Sequence, residues 1–256
     1  MDGVVNLNKS DGISSRRAVD QVRRLFGIKK AGHGGTLDPT ATGVLLICLG
    51  RGTKLFDALQ IGTKSYQATM TLGMTTDSFD TSGQVLTKLP TDNLSIDQIE
   101  QALKRFTGQI LQTVPMFSAI KRNGQPLYKM ARKGIQLDEL PTRQVEITRL
   151  ELSSVELTER EGGATATIDV SCSKGTYIRS LVSDIGQELA CGAVLSQLTR
   201  TSSGVFHLSD AYTIKQLEQN PSTAHQAIIP LKRVNHMLDR YQERISTLKT
   251  GAEDEQ

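Results

Sequence analysis

Gly32-His33-Gly34-Gly35-Thr36-Leu37-Asp38-Pro39-Thr40-Ala41-Thr42-Gly43, residues 32–43, runs directly into the apolar stretch Val44–Leu49. Gly32, Gly34 and Gly35 let the backbone come close to a ligand. Asp38 stands before Pro39, which biases it toward an extended conformation. The threonines around it can donate hydrogen bonds to a carboxylate or a phosphate, and His33 adds a polar ring. The plain reading is an Asx-type turn in which Asp38 bonds its own backbone. A phosphate-binding P-loop is excluded, because no Gly-Lys-Ser/Thr follows at the required spacing. No Gly-x-Ser-x-Gly supports a serine nucleophile, and no cysteine has a histidine nearby in sequence. Hydrolysis by paired carboxylates would need a second acid, for which Asp77 and Asp80 are the candidates. Val44–Leu49 reads as a buried strand or the start of a helix.

On the N-terminal side, Val4 to Leu7 reads as a short strand, followed by the polar turn Lys9-Ser10-Asp11-Gly12. Ser14 or Ser15 can cap a helix running to Phe26. Its apolar positions Ala18, Val19, Val22 and Phe26 share one face, arginines occupy the other, and Gly27 stops it. On the C-terminal side, Tyr66 to Leu72 alternates apolar and polar residues, as a half-buried strand does. Asp77 to Gly83 is a loop. Ser95-Ile96-Asp97-Gln98 is a capping box opening a helix that ends before Gly108. Residues 113–143, punctuated by Pro115, Gly124, Pro126, Gly134 and Pro141, read as an irregular excursion. Val145 to Leu157 and Ala164 to Cys172 are strands. Thr176 is expected to cap a helix carrying Ile178, Leu181, Val182, Ile185 and Leu189. Val194 to Thr201 is another strand, and Thr213-Ile214-Lys215-Gln216 another capping box. Strands and helices are interspersed without strict βαβ alternation, which predicts an α+β fold.

The 256 residues suffice for one large domain or two modest ones. A net charge of +3 is only mildly basic, so clustering is more informative than the total. Arg16, Arg17, Arg23, Arg24, Lys29 and Lys30 form one basic cluster; Lys121, Arg122, Lys129, Arg132 and Lys133 form another. Either reads as a solvated face, and the two together equally as a phosphate-binding surface. With no Trp and few aromatics, an aromatic platform for single strands is disfavoured. Cys48, Cys172 and Cys191 are scattered and odd in number, which suits a reducing compartment and gives no zinc-ligand spacing. The longest apolar run is far too short to span a bilayer, so a cytoplasmic protein is expected.

Six segments in order resemble one family. GHGGTLDPTATGVL is similar to the aspartate-containing motif of the bacterial tRNA pseudouridine-55 synthases, the TruB family. VVNLNKSDGISS resembles that family's N-terminal segment, and KSYQATMTLGMTTDSFDTSG the motif with its active-site tyrosine. VPMFSAIKRNGQPLYKMARKG resembles its RNA-gripping insertion, and CSKGTYIRSLVSDIG and LTRTSSGVF its last two motifs. The resemblance covers about residue 3 to residue 210.

It implies that Asp38 is the nucleophile, attacking a flipped uridine at C6 of the base or C1′ of the ribose. It implies that Tyr66 stacks on the base, Tyr177 contacts it, and Leu198 walls the pocket. Arg179 matches the arginine that pairs with the nucleophile, and His33 a histidine that contacts the RNA. Lys9, Arg16, Arg17, Lys121, Lys129 and Arg132 become candidate RNA contacts. Base flipping follows because the reacting atoms cannot be reached inside a stack.

The implied fold is a pseudouridine synthase fold with a central mixed, mainly antiparallel sheet, flanking helices and an insertion at about 113–143. The catalytic domain is expected over residues 1–238, followed by an exposed tail over 239–256 without a complete PUA-type module. The substrate implied is uridine-55 in the T-arm loop of tRNA. No metal, no organic cofactor, no membrane and no obligate protein partner is implied, and the protein is expected to be a monomer. A guide-RNA-dependent relative acting on ribosomal RNA, and a tRNA-folding chaperone, are the competing readings. The sequence departs from the family's pattern at Ser10, Gly34, Val114 and Phe117.

Overall fold

Three of the four expected helix caps open helices in the computed structural model, which describes residues 1–135, 137, 139–157 and 163–253. Ser14 accepts from the Arg17 amide, and both halves of the capping boxes at Ser95–Gln98 and Thr213–Gln216 are made. The exception is Thr176. Its hydroxyl donates to Ser173 O at 2.9 Å, closing a turn, and the next helix begins at Ile178 without a side-chain cap.

Along the chain the first elements are β1 (Gly3–Lys9), α1 (Ser15–Leu25), β2 (Ala31–His33), β3 (Thr42–Leu49), α2 (Phe56–Leu59) and β4 (Lys64–Leu72). There follow β5 (Met74–Thr76), β6 (Val85–Lys88), α3 (Ile96–Arg105), β7 (Gly108–Thr113), β8 (Lys121–Arg122), β9 (Gln125–Pro126) and α4 (Leu127–Ala131). The remainder is β10 (Thr142–Glu156), β11 (Thr165–Cys172), α5 (Ile178–Glu188), β12 (Ala193–Ser203), β13 (Phe206–His207), α6 (Ile214–Gln219), α7 (Pro221–Gln226), β14 (Ile228–Pro230) and α8 (Leu231–Glu253). They form two compact units, residues 1–65 with 199–256, and residues 66–198.

In the first unit the strand order is β14-β1-β3-β12, with β2 added to β3 and β13 to β12. β1 is antiparallel to β3, with Val5 opposite Ile47. β3 is buried along nearly its whole length, which explains why its apolar run carries no period. β12 joins it in parallel, Thr199 opposite Thr42 and Arg200 opposite Gly43. At Gly43 (φ +95°) a Cβ would stand 2.3 Å from Arg200 O, so only glycine permits this pairing. Val4, Val44, Leu46, Cys48, Leu59, Phe206, Val234 and Leu238 make one apolar cluster beneath the sheet. Burial there pushes the Cys48 thiol up to about 11, so it is an inert core residue. The boundary expected at residue 238 falls inside α8. The segment after it is helical through Glu253 and mostly exposed over residues 239–247, and Tyr241 anchors it by accepting from the Thr63 amide at 3.2 Å. Residues 254–256 lie outside the described residues.

In the second unit the order is β12-β4-β11-β10-β7, with β10 antiparallel to both β11 and β7. β4 and β11 bury the residues that the alternation selects, among them Tyr66, Ala68, Met70 and Leu72 on β4. α3 packs on β10, and α5 on α3 and β7. The insertion is not irregular. Val114 N donates to Pro141 O at its neck. Within it β8 and β9 form a hairpin around Asn123-Gly124, both with positive φ (51° and 79°), the combination a two-residue I′ turn needs. α4 follows and buries Leu127 completely. Gln136 and Asp138 of the insertion lie outside the described residues. The whole is α+β with a mixed, mainly antiparallel arrangement, as expected.

Candidate active site

The loop around Asp38 belongs to the first unit, and its backbone is held from several directions. Ser15 is buried and not part of the cap. Its hydroxyl donates to Leu37 O (2.7 Å) and accepts from Leu37 N (2.8 Å). Gly12 N donates to Pro39 O, and Ala41 N to Asp38 O. Lys9 corrects an expectation. It is 0% exposed, and its ammonium donates to Ser10 O, Ile13 O and Pro39 O at 2.9, 2.7 and 3.0 Å. All three donor positions are used, so Lys9 does not reach a phosphate; it ties the N-terminal turn to the Asp38 loop. Burial pushes its pKa down, while Asp11 and Asp38 push it up.

Arg200 plays the same part on the other side of the loop. It is 1% exposed, donating from Nε to Val44 O (2.6 Å) and from Nη2 to Gly35 O (3.2 Å). Gly34 has little space to spare: a Cβ there would meet Leu59 Cβ at 3.2 Å, so this departure from the family pattern matches the local packing.

His33 sits beside Arg200, with Nδ1 buried and without a hydrogen-bond partner among the described residues. Burial, then the positive charges of Arg200 and Arg16, lower its pKa below the usual 6.5, against an opposing hydrogen bond with the Gly35 backbone. The unfolded chain therefore takes up a proton near pH 6.5 that the folded chain still refuses. Stability contributed by neutral His33 is complete above about pH 6.5 and is lost as pH falls from there toward the lower folded value. Urea midpoints measured at pH 7.5 and 5.5 should show a smaller acid-side loss in His33→Gln than in the wild type. Equal losses would reject this assignment.

In the second unit, Tyr177 and Arg179 stand at the start of α5 and are fixed by the neck of the insertion. Gln112, 0% exposed, grips the Tyr177 peptide from both ends. Its Nε2 donates to Tyr177 O (3.0 Å) and its Oε1 accepts from Tyr177 N (2.7 Å). The Arg143 guanidinium lies 5.8 Å from the Tyr177 ring centroid and donates to Gly175 O.

Arg179 is no solvated helix arginine. It is 5% exposed, donates to Ser78 O and Phe117 O at 3.1 Å each, and lies 3.6 Å from the Asp80 carboxylate. Asp80 Oδ1 also accepts from the Ser78 hydroxyl and from both the amide and hydroxyl of Ser82. A carboxylate so fully engaged is a support for Arg179 and its loop, and Asp77 is bound to Gln84 N. Neither is placed as a second catalytic acid. Tyr66 and Leu198 are buried on the neighbouring strands β4 and β12.

Arg16 and Arg17 are exposed on α1, where Arg16 shares Asp20 with Arg23. Lys121, Lys129 and Arg132 are exposed on the insertion, Arg132 over the Tyr128 ring at 5.6 Å. The structure thus groups Asp38 and His33 with Lys9, Ser15 and Arg200 in one unit. It groups Tyr177 and Arg179 with Gln112, Asp80 and Arg143 in the other. Sequence reading missed Arg200 and Gln112 as site-forming residues; Arg200 lies inside the quoted segment LTRTSSGVF, which was the available signal.

Among the described residues, no helix is long and apolar enough to cross a membrane. Residues 23–178 match the model of the N-terminal domain of the TruB family pseudouridylate synthases, and residues 179–239 that of the tRNA pseudouridylate synthase B C-terminal domain. A tRNA pseudouridine synthase B of Francisella tularensis subsp. novicida is 47% identical over 219 residues, 85% of this chain and 70% of that protein. One of Bordetella pertussis is 44% identical over 236 residues, 91% and 93% of the two chains. Among solved structures, a Cbf5-Nop10-Gar1 complex matches with a TM-score of 0.69 at 30% identity, over 90% of this chain and 60% of that one. The chain thus spans about six-tenths of that protein's length. Two family models in register, relatives near half identity and a shared α+β architecture lead to one conclusion: the chain belongs to the TruB family of pseudouridylate synthases, enzymes that isomerise uridine.

Proposed function

We propose that this chain converts uridine-55 in the T-arm loop of tRNA to pseudouridine in the cytoplasm, acting alone as a monomer, with Asp38 as the nucleophile. The observation that carries the reading is the loop around Asp38. A simple turn needs no buried ammonium beneath it, whereas a carboxylate that must meet a reacting carbon needs its backbone fixed in advance. Here Lys9, Ser15 and Arg200 do that fixing.

In the reaction the N1–C1′ bond breaks and a C5–C1′ bond forms. C5 gives up a proton and N1 gains one, so atoms balance without oxidation or hydrolysis. Asp38 forms a covalent link that holds the fragments while the uracil turns, and this link breaks again before the product leaves, its electron pair returning to the carboxylate. Tyr66 stacks on the flipped base, Tyr177 and Leu198 bound it, and Arg179 supplies a fixed guanidinium. His33, uncharged at neutral pH, contacts the RNA by hydrogen bonding. Arg16, Arg17, Lys121, Lys129 and Arg132 contact phosphates, which position the RNA without reading sequence.

The test is release of tritium from C5-labelled uridine in a T-arm stem-loop by the purified chain. Release from the target uridine is expected. No release, or release only when a guide RNA or protein partners are added, would reject the proposal.

Gln112 gives a second measurement. Because it holds the Tyr177 peptide, Gln112→Ala is expected to slow turnover at saturating RNA about 10- to 100-fold, with KM changed only a few-fold. Gln112→Glu keeps the acceptor and loses the donor, so it should fall between the two. A merely structural glutamine would lower the melting temperature and leave kcat unchanged in the remaining folded protein.

A further inference from the structure

A cavity of about 290 Å³ opens on the first unit between α8 and the turn joining β12 to β13, lined by Val205, His236, Met237, Arg240, Tyr241 and Arg244. No segment that the family resemblance assigns to RNA contains it. His236, Arg240 and Arg244 are spaced i, i+4 and i+8, so α8 presents them along one face. All three are exposed, and none has a hydrogen-bond or ion-pair partner among the described residues. Arg16, Arg51, Arg105 and Arg149 differ, each facing a carboxylate. Glu243 sits three positions after Arg240, yet no ion pair joins them.

The wall of the cavity is apolar and preset. Val205 and Met237 pack against the core cluster. Tyr241 is held by the hydrogen bond from Thr63 N, and its ring fills the space above Gly62, where a Cβ would lie 2.4 Å from Cε1.

Unpaired guanidiniums at the rim match the bidentate geometry of phosphate, and an aromatic and aliphatic wall suits a ribose or base. The volume is at the small end of ligand-holding cavities, about 300–1,000 Å³, and takes one unit of a longer strand. We propose that this face of α8 is a further RNA-binding surface, which grips the phosphate backbone of the substrate RNA through Arg240 and Arg244 with one nucleotide against Tyr241. The choice of RNA over another polyanion rests on the proposed function.

The test is binding of a tRNA transcript by fluorescence anisotropy between 50 and 200 mM salt (about the range in which phosphate contacts dominate). For Arg240→Gln/Arg244→Gln, Kd should rise about ten-fold. The slope of log K against log salt should become shallower by about 1.5, at 0.7–0.9 per phosphate lost. Single-turnover tritium release at saturating RNA should be unchanged, and so should the melting temperature, since both side chains are exposed and unpartnered. Arg240→Lys/Arg244→Lys keeps the charges and should restore the slope. Wild-type Kd and slope in the Gln pair would overturn the surface, as would a Lys pair no better than the Gln pair. If the Gln pair loses affinity but wild type releases no tritium, the surface stands and the functional reading fails.

Discussion

Asp38→Asn is expected to reduce tritium release by on the order of 10⁴-fold or more, the scale on which removing a nucleophile acts, while RNA binding stays within a few-fold of wild type. The substitution keeps the side chain's size and shape. Several contacts that fix the loop are made by its backbone atoms and survive the substitution: Leu37 N and O with Ser15, Pro39 O with Lys9 and Gly12, and Asp38 O with Ala41. The loop should therefore keep these backbone anchors, while loss of the charge that favours the buried Lys9 ammonium is expected to lower stability by on the order of 1 kcal/mol. An amide oxygen has no charge to donate and forms no comparable ester link. Kinetics, RNA affinity and thermal melts of the same preparation decide the matter. Residual turnover within ten-fold of wild type, with an intact fold, would remove Asp38 from the nucleophile's role. The variant also separates the enzyme from the chaperone reading. If it still accelerates refolding of a misfolded tRNA, the chain has a second activity that does not use the carboxylate.

The elements legible in the sequence were those whose signal is local. β4 and β11 alternate, and alternation needs only neighbours two residues apart. The capping boxes at Ser95 and Thr213 are complete within four residues. β3 could not be told from a helix, because a strand covered on both faces is apolar throughout and shows no period. The hairpin in the insertion was missed although Asn123-Gly124 is a strong turn signal, since its two-residue strands are too short to alternate. Thr176 looked like a cap, but its hydroxyl is used by the turn behind it.

The site divides along the same line. Asp38, Tyr66, Tyr177 and Arg179 were singled out through a family pattern, and what fixes them was invisible. Lys9, Gln112, Arg179 and Arg200 are polar residues that sequence statistics place at the surface. Their burial depends on carbonyls and amides far away in the chain: Pro39 for Lys9, Tyr177 for Gln112, Phe117 for Arg179, Val44 and Gly35 for Arg200. No local window contains both halves of such a pair. The misreading of Lys9 as a phosphate contact follows directly. A lysine beside a polar turn is usually solvated, and only the closed fold shows three carbonyls converging on it.

Lys9 carries the second large prediction. Lys9→Met keeps the volume of the side chain and removes the ammonium. Ser10 O, Ile13 O and Pro39 O then lose a buried donor, at about 1–3 kcal/mol for each carbonyl left unsatisfied. Against this, folding no longer has to strip water from a buried charge, a saving of several kcal/mol. The ammonium is well compensated in the wild type, since all three donors are used and Asp38 and Asp11 lie close enough to favour its charge. The loss therefore wins, and a net destabilisation of about 2–4 kcal/mol is expected, which for a chain of this size lowers the melting temperature by about 5–15 °C. Turnover should fall as well, by about 10- to 100-fold at a temperature where the variant is fully folded. The reason is geometric: Pro39 follows Asp38 directly, and an error of about 1 Å at a reacting group costs about 10²-fold. Lys9→Arg, which cannot fit its planar fork to three converging carbonyls in a full core, should not rescue either property. A Lys9→Met protein with wild-type melting and wild-type tritium release would show that the loop is held by Ser15 and Arg200 alone. A variant that melts early but turns over normally would confine Lys9 to stability and detach it from the placement of Asp38.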